Sequence, residues 1–162
     1  MSLNFVNSQK FFSGTYPVVM DAQRRLTIPK SWRFLGNDEP IQFFLLPGRN
    51  HRLELVTSER IEEIMKKILG VSVANGESMD SFTDIGSKIQ VVEMDKQGRF
   101  SLNPVLMEYA QIKDKAVFLG SLICGTIVSA ENCEIKSAPQ SSSLDILQHL
   151  EEKQSFGVEG IK

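Results

Sequence analysis

Hydrophobic and polar positions along this chain fall into short extended runs broken by polar turns, with one longer helical stripe. Residues 16–20 (YPVVM) and 89–94 (IQVVEM) are rich in β-branched side chains, and each ends at an Asp-led polar turn, as a strand entering a tight turn does. Residues 26–28 and 100–102 resume an extended apolar pattern beyond those turns. Asn103 followed by Pro104 predicts a helix start, a capping side chain before a proline in the first turn. Pro29 takes the same part earlier in the chain, with Thr27 as the candidate cap. Apolar segments separated by Gly- and Pro-bearing turns around 47–49 and 120–125 predict hairpins. Residues 57–69 predict an amphipathic helix: Ile61, Ile64, Met65, Ile68 and Leu69 form one stripe, expected to face the core. Its outer face carries Glu62/Lys66 and Glu63/Lys67 at the favourable i, i+4 spacing, and Gly70 is a stop signal.

These runs repeat. Advancing the sequence by 74 residues lays 13–28 (SGTYPVVMDAQRRLTI) on 87–102 (SKIQVVEMDKQGRFSL), with six of sixteen positions identical. The succeeding segments correspond as well: a short amphipathic stretch at 29–35 and 104–110, then two apolar runs in each copy. The expected organisation is a first copy at 1–70 including the helix at 57–69, a connection at 71–86, and a second copy at 87–136 in the same domain. Residues 137–162 then read as a linker and tail, with a short helix at 144–153 carrying Leu144, Leu147 and Leu150 on one side. The fold class is mainly β with short helices (α+β).

Composition narrows the function classes. The 162 residues suffice for one domain, and no stretch approaches the roughly 20 apolar residues of a membrane span. The N-terminal residues lack the pattern of an export signal, so a cytoplasmic protein is expected. A net charge of −2 argues against a histone-like binder, but residues 22–52 hold six basic side chains (Arg24, Arg25, Lys30, Arg33, Arg49, Arg52) against two acidic ones. Such local polarisation suits phosphate even in an acidic protein. Cys124 and Cys133 lack metal-ligand spacing and read as reduced, structural residues.

The most strongly shared element is D-x-x-x-R, Asp21 to Arg25 and Asp95 to Arg99. Asp bonds back to its own backbone in a tight turn, and Gly98 supplies a position tolerant of positive φ. The Arg that follows can pair with the Asp, pair with the partner strand, or point outward as a cation. Guanidinium matches phosphate oxygens and guanine edges, and Gln23 or Gln97 can address adenine edges or remain solvated.

With the preceding residues of the first copy (Phe12-Ser13-Gly14) and the tandem runs 20–29 and 94–102, the chain resembles the MraZ family, relatives of the AbrB-type regulators. The resemblance spans roughly 11–135. It implies a double-copy swapped-hairpin β-barrel whose subunits close into a ring and present first-copy loops to DNA. It also implies regulation of the division and cell-wall gene cluster through short direct repeats in double-stranded DNA, within the nucleoid. Carried over by position, Arg25 is the foremost DNA contact, with Arg24, Gln23, Lys30, Arg33, Arg99 and Lys96 as further candidates. Asp21, Asp95 and Gly98 shape the loops. No cofactor, metal, membrane or small-molecule substrate is implied. One departure stands out: the family turn normally has Gly where this chain has Arg24, which requires either a left-handed arginine or a different turn.

Two rival readings remain. An enzyme lacks support in the motifs: HExxH, GxSxG and phosphate-cradling glycine loops are absent from the sequence, and His51 fits a phosphate contact or solvated turn better than catalysis. An AbrB-type oligomeric protein-interaction module without specific DNA binding is the stronger rival, because one barrel serves several roles.

Overall fold

The computed structural model describes residues 11–35, 38–68, 76–134 and 142–159. The first copy contributes β1 (Thr15–Val19), β2 (Arg25–Thr27), α1 (Lys30–Phe34), β3 (Phe43–Pro47), β4 (Leu53–Thr57) and α2 (Ser58–Ile68). After α3 (Gly76–Gly86) the order recurs as β5 (Gln90–Val92), β6 (Arg99–Ser101), α4 (Pro104–Tyr109), β7 (Lys115–Gly120) and β8 (Gly125–Ser129), followed by α5 (Ser143–Glu159). The 74-residue offset holds from β2/β6 through the starts of α1 and α4. It falls to 72 at the hairpins, where β3 starts at Phe43 and β7 at Lys115.

The two copies interleave. One six-stranded sheet has the order β1-β7-β8-β4-β3-β5, and β2 pairs with β6 in a separate ribbon. Exchanging each strand for its counterpart in the other copy reverses that order onto itself. Thus β1 leaves its own hairpin to pair with β7, Val18 opposite Ala116, while β5 pairs with β3, Val92 opposite Phe43. All these pairings are antiparallel. In place of the closed barrel implied by the resemblance, the described strands form an open sheet with edges β1 and β5, plus the β2–β6 ribbon.

Sheet and ribbon share one core. Leu26 and Phe100 from the ribbon are buried with Leu45, Leu55, Phe118 and Ile127 from the sheet. At its centre Trp32 of α1 stands edge-on to Phe12, Tyr16 and Phe118, with ring centroids 5.2, 5.6 and 5.8 Å away. Its Nε1–H donates to the Ser13 carbonyl at 2.9 Å, so the indole is buried without leaving its one donor unmet.

Four local expectations need adjustment. The cap of α1 falls at Pro29, which has no side-chain oxygen to offer, and not at Thr27. Asn103 caps α4 as expected, its side chain accepting from the Val105 N–H at 2.9 Å. Among the described residues the stripe of α2 does not enter the core: none of Ile61, Ile64, Met65 and Ile68 is fully buried, because the helix leaves β4 directly and lies outside a core already filled by the strands and Trp32. Leu69 and the expected stop at Gly70 lie outside the described residues. Within 71–86, α3 forms a helix that the polar composition masked; Met79, Phe82 and Ile85, spaced by three, were its only signal. The C-terminal helix α5 is longer than expected, and Leu144, Leu147 and Leu150 are all exposed.

Candidate nucleic-acid interface

Each D-x-x-x-R segment folds into the same turn. Asp21 Oδ1 accepts from the backbone N–H groups of Gln23 and Arg25, both at 2.9 Å, and Oδ2 accepts from Arg25 Nε at 2.8 Å. Asp95 repeats this with Gln97 N, Arg99 N and Arg99 Nε at 2.9, 2.9 and 2.7 Å. The Arg24 and Gly98 N–H groups donate to the Asp21 and Asp95 carbonyls, closing both turns. The residue after each turn must then be left-handed, as in three-residue hairpin loops. Gly98 meets this at φ 81°, and Arg24 meets it at φ 58°, so the turn is kept at the cost of strain worth about 1–2 kcal/mol.

The ribbon brings both turns together. Thr27 lies opposite Arg99 and Arg25 opposite Ser101, and Arg25 Nη1 comes within 3.8 Å of Asp95 Oδ2. Arg25 is thus a partly covered fork between two carboxylates, its side chain 25% exposed. Gln23, Arg24, Lys30, Lys96 and Gln97 are exposed, and Arg99 is partly exposed against its own Asp95. Arg33 behaves differently. Its side chain crosses Gly98, and Nε is shut off from solvent without a hydrogen-bond partner.

Both carboxylates are held ionised. The Arg99 backbone N–H, helped by the Arg99 guanidinium and the Gln97 N–H against partial desolvation, lowers Asp95 from 3.8 to about 2. Asp21 is lowered chiefly by the Arg25 backbone N–H. Two carboxyl groups shifted the same way provide no acid/base pair. A folded value below the unfolded one means the turn's contribution is present above about pH 3.8 and disappears as the pH falls through about 2. An NMR titration of the side-chain carboxyl carbons should place the Asp95 midpoint near 2; a midpoint at 3.8 or higher would refute the hydrogen-bonded turn.

The remaining candidates take structural places. His51, left-handed in the β3–β4 turn, lies with Nδ1 2.9 Å from the Tyr109 carbonyl, which can only accept, so Nδ1 carries the proton. The Tyr109 hydroxyl donates to the Gly48 carbonyl. Together these bonds tie the first-copy hairpin to second-copy α4, a role no local sequence signal announced. Both cysteines are unbridged. Cys133 packs on Val117, Leu119 and Val128, and burial, aided by Glu54, pushes the Cys124 thiol up.

Comparison with known proteins decides the family. Over 109 residues, 67% of this chain and 73% of the other, the sequence is 31% identical to the transcriptional regulator MraZ of Mesoplasma florum. The chain belongs to the MraZ family. A MraZ regulator of Pelagibacter ubique is 31% identical over 112 residues, 67% of this chain and 72% of its own. That of Corynebacterium urealyticum is 27% identical over 127 residues, 78% and 87% respectively. No protein-family model matches the chain. For this MraZ sequence the left-handed Arg24 keeps the hydrogen-bonded turn and places an additional cation beside Arg25.

Proposed function

We propose that the protein is a sequence-specific DNA-binding transcriptional regulator that acts on its own division and cell-wall gene cluster in the nucleoid. Copies at 1–70 and 87–136 exchange strands within one domain, and several subunits close into a ring that presents the first-copy turn to short direct repeats. The observation carrying this reading is the paired turn itself. Two Asp-organised turns flank the short β2–β6 ribbon, Arg25 of one reaches Asp95 of the other, and Arg24, Lys30 and Lys96 are exposed in and after these turns. The named function of the MraZ relatives supports it.

Arg25 supplies the fork that reads guanine edges or clasps phosphate, and Asp21 fixes its direction. Arg24, Lys30 and Lys96 act as phosphate cations, and Gln23 reaches base edges. One subunit with two or three such contacts binds weakly, at about 10⁻⁴ to 10⁻⁶ M. Repetition of the loop around a ring raises avidity by about 10²- to 10⁴-fold when the DNA repeats match its spacing. A net charge of −2 is therefore no obstacle.

Exposed apolar side chains such as Val19, Val105 and Ile123 favour a second reading, an oligomeric protein-interaction module. Fluorescence anisotropy at two salt concentrations separates the two. DNA from upstream of the protein's own gene should bind at least about tenfold more tightly than scrambled DNA, and rising salt should weaken it steeply. Equal, weak and salt-indifferent binding to both DNAs would reject the regulator reading.

A further inference from the structure

The two turns are built from the same parts placed differently. A Cβ added to Gly98 would come within 2.6 Å of Arg33 Cδ, 2.7 Å of Nε and 2.8 Å of Cζ, so the Arg33 side chain occupies the space that any larger residue there would need. Gly98 belongs to the second-copy turn, whereas Arg33 belongs to first-copy α1. The Gly98 carbonyl also accepts from Ile28 N–H at 2.9 Å, two residues before α1. Advancing by 74 residues carries Arg24 onto Gly98 and Arg33 onto Met107. Where the second turn has a glycine beneath an arginine, the first has an arginine on the turn itself and a methionine at the matching position of the opposite helix.

We propose that Arg33 is a positioning residue of the second turn and not a DNA contact, and that Arg24 with Met107 is its exchanged counterpart. At each turn, a side chain on the left-handed residue and an arginine reaching over from the other copy's short helix exclude one another. The exchange supplies one arginine to each turn, but Arg24 faces solvent while the Nε of Arg33 is buried against Gly98. The exchange puts an exposed charge on the left-handed position of the first turn, where the second turn has only Gly98, and explains how an arginine fills a place suited to glycine. Met107, flexible and uncharged, leaves room for the Cβ that an arginine at its position would contest.

Two double-mutant cycles read by thermal denaturation test this. Gly98→Ala should lower Tm by about 3 °C or more with Arg33 present, and by clearly less in the Arg33→Ala background. The left-handed strain of alanine is common to both legs and cancels. Met107→Arg should destabilise beside Arg24 and be tolerated with Arg24→Gly. NMR supplies a signature that general destabilisation does not produce: the Arg33 Nε–H should exchange slowly, and the Arg24→Gly/Met107→Arg protein should gain one protected arginine Nε–H beyond those of the wild type. Additive cycles, or a rapidly exchanging Arg33 Nε–H, would overturn the proposal, and either cycle suffices if a variant of the other fails to fold.

The DNA assay adds an independent arm that rests on the proposed function. Arg33→Ala should leave the salt slope of binding unchanged. A loss of about 0.9 from the slope would mark Arg33 as a phosphate contact and overturn its positioning role. The cycles and the NMR signal need no DNA, so they decide the Arg33 proposal even if DNA binding fails.

Discussion

Trp32→Ala is expected to remove about 3–5 kcal/mol of stability and to lower Tm by about 6–20 °C. The indole is fully buried and stands edge-on to three aromatic rings. Those rings come from Phe12 and Tyr16 before α1 and from Phe118 on second-copy β7. A Cβ on Gly125 would lie 2.7 Å from Trp32 Cζ3, so the indole also presses against the start of β8. Truncation therefore opens a cavity at the seam between the copies. It also removes the indole N–H that donates to the Ser13 carbonyl. Trp32→Phe restores the ring but not the donor, and should cost about 1–3 kcal/mol. Thermal and denaturant unfolding followed by circular dichroism would measure both. An alanine variant within about 1 kcal/mol of wild type would mean that the seam is held elsewhere.

Arg25→Ala is expected to reduce affinity for upstream DNA by about 5- to 150-fold per engaged loop, the value of one bidentate contact. The loss compounds when several loops of a ring engage together. Nε of Arg25 is committed to Asp21 and Nη1 approaches Asp95, while the other guanidinium donors remain for an acceptor outside the protein. Stability should fall little, because the ion pair is partly exposed and such pairs contribute about 0–1 kcal/mol. Arg25→Lys keeps the charge without the fork. It should retain most of the non-specific, salt-sensitive binding and lose preference for the upstream sequence. Should Arg25→Ala bind upstream DNA with wild-type affinity and salt slope, Arg25 would be a turn brace alone, and the reading surface would shift to Arg24 and Lys30.

The repeat was legible because duplication leaves identities at constant spacing, and Asp-led turns recur for a local reason: one carboxylate satisfies two backbone N–H groups in either copy. The short helices were legible from Pro29 and from Asn103-Pro104, which act within a few residues of themselves. Amphipathicity also gave α2 its helical form. It could not say whether the stripe of α2 would be covered, because an amphipathic pattern records only that one face is apolar.

What the sequence by itself determined is therefore local and periodic: two copies, their strands and turns, and the family to which they belong. Tertiary structure alone decided which strands pair, sending β1 to β7 and β5 to β3, because register is chosen by the partner that buries each strand's apolar face. Bringing the turns together placed Arg25 between Asp21 and Asp95, 74 residues apart in the chain. Closeness across such a span comes from folding the copies through one another. The same interleaving turned Arg33 from one cation in a basic run into the side chain that lies over Gly98. Charge can be read from a residue's identity, but whether that charge faces solvent or a neighbouring backbone depends on chain folded in from far away.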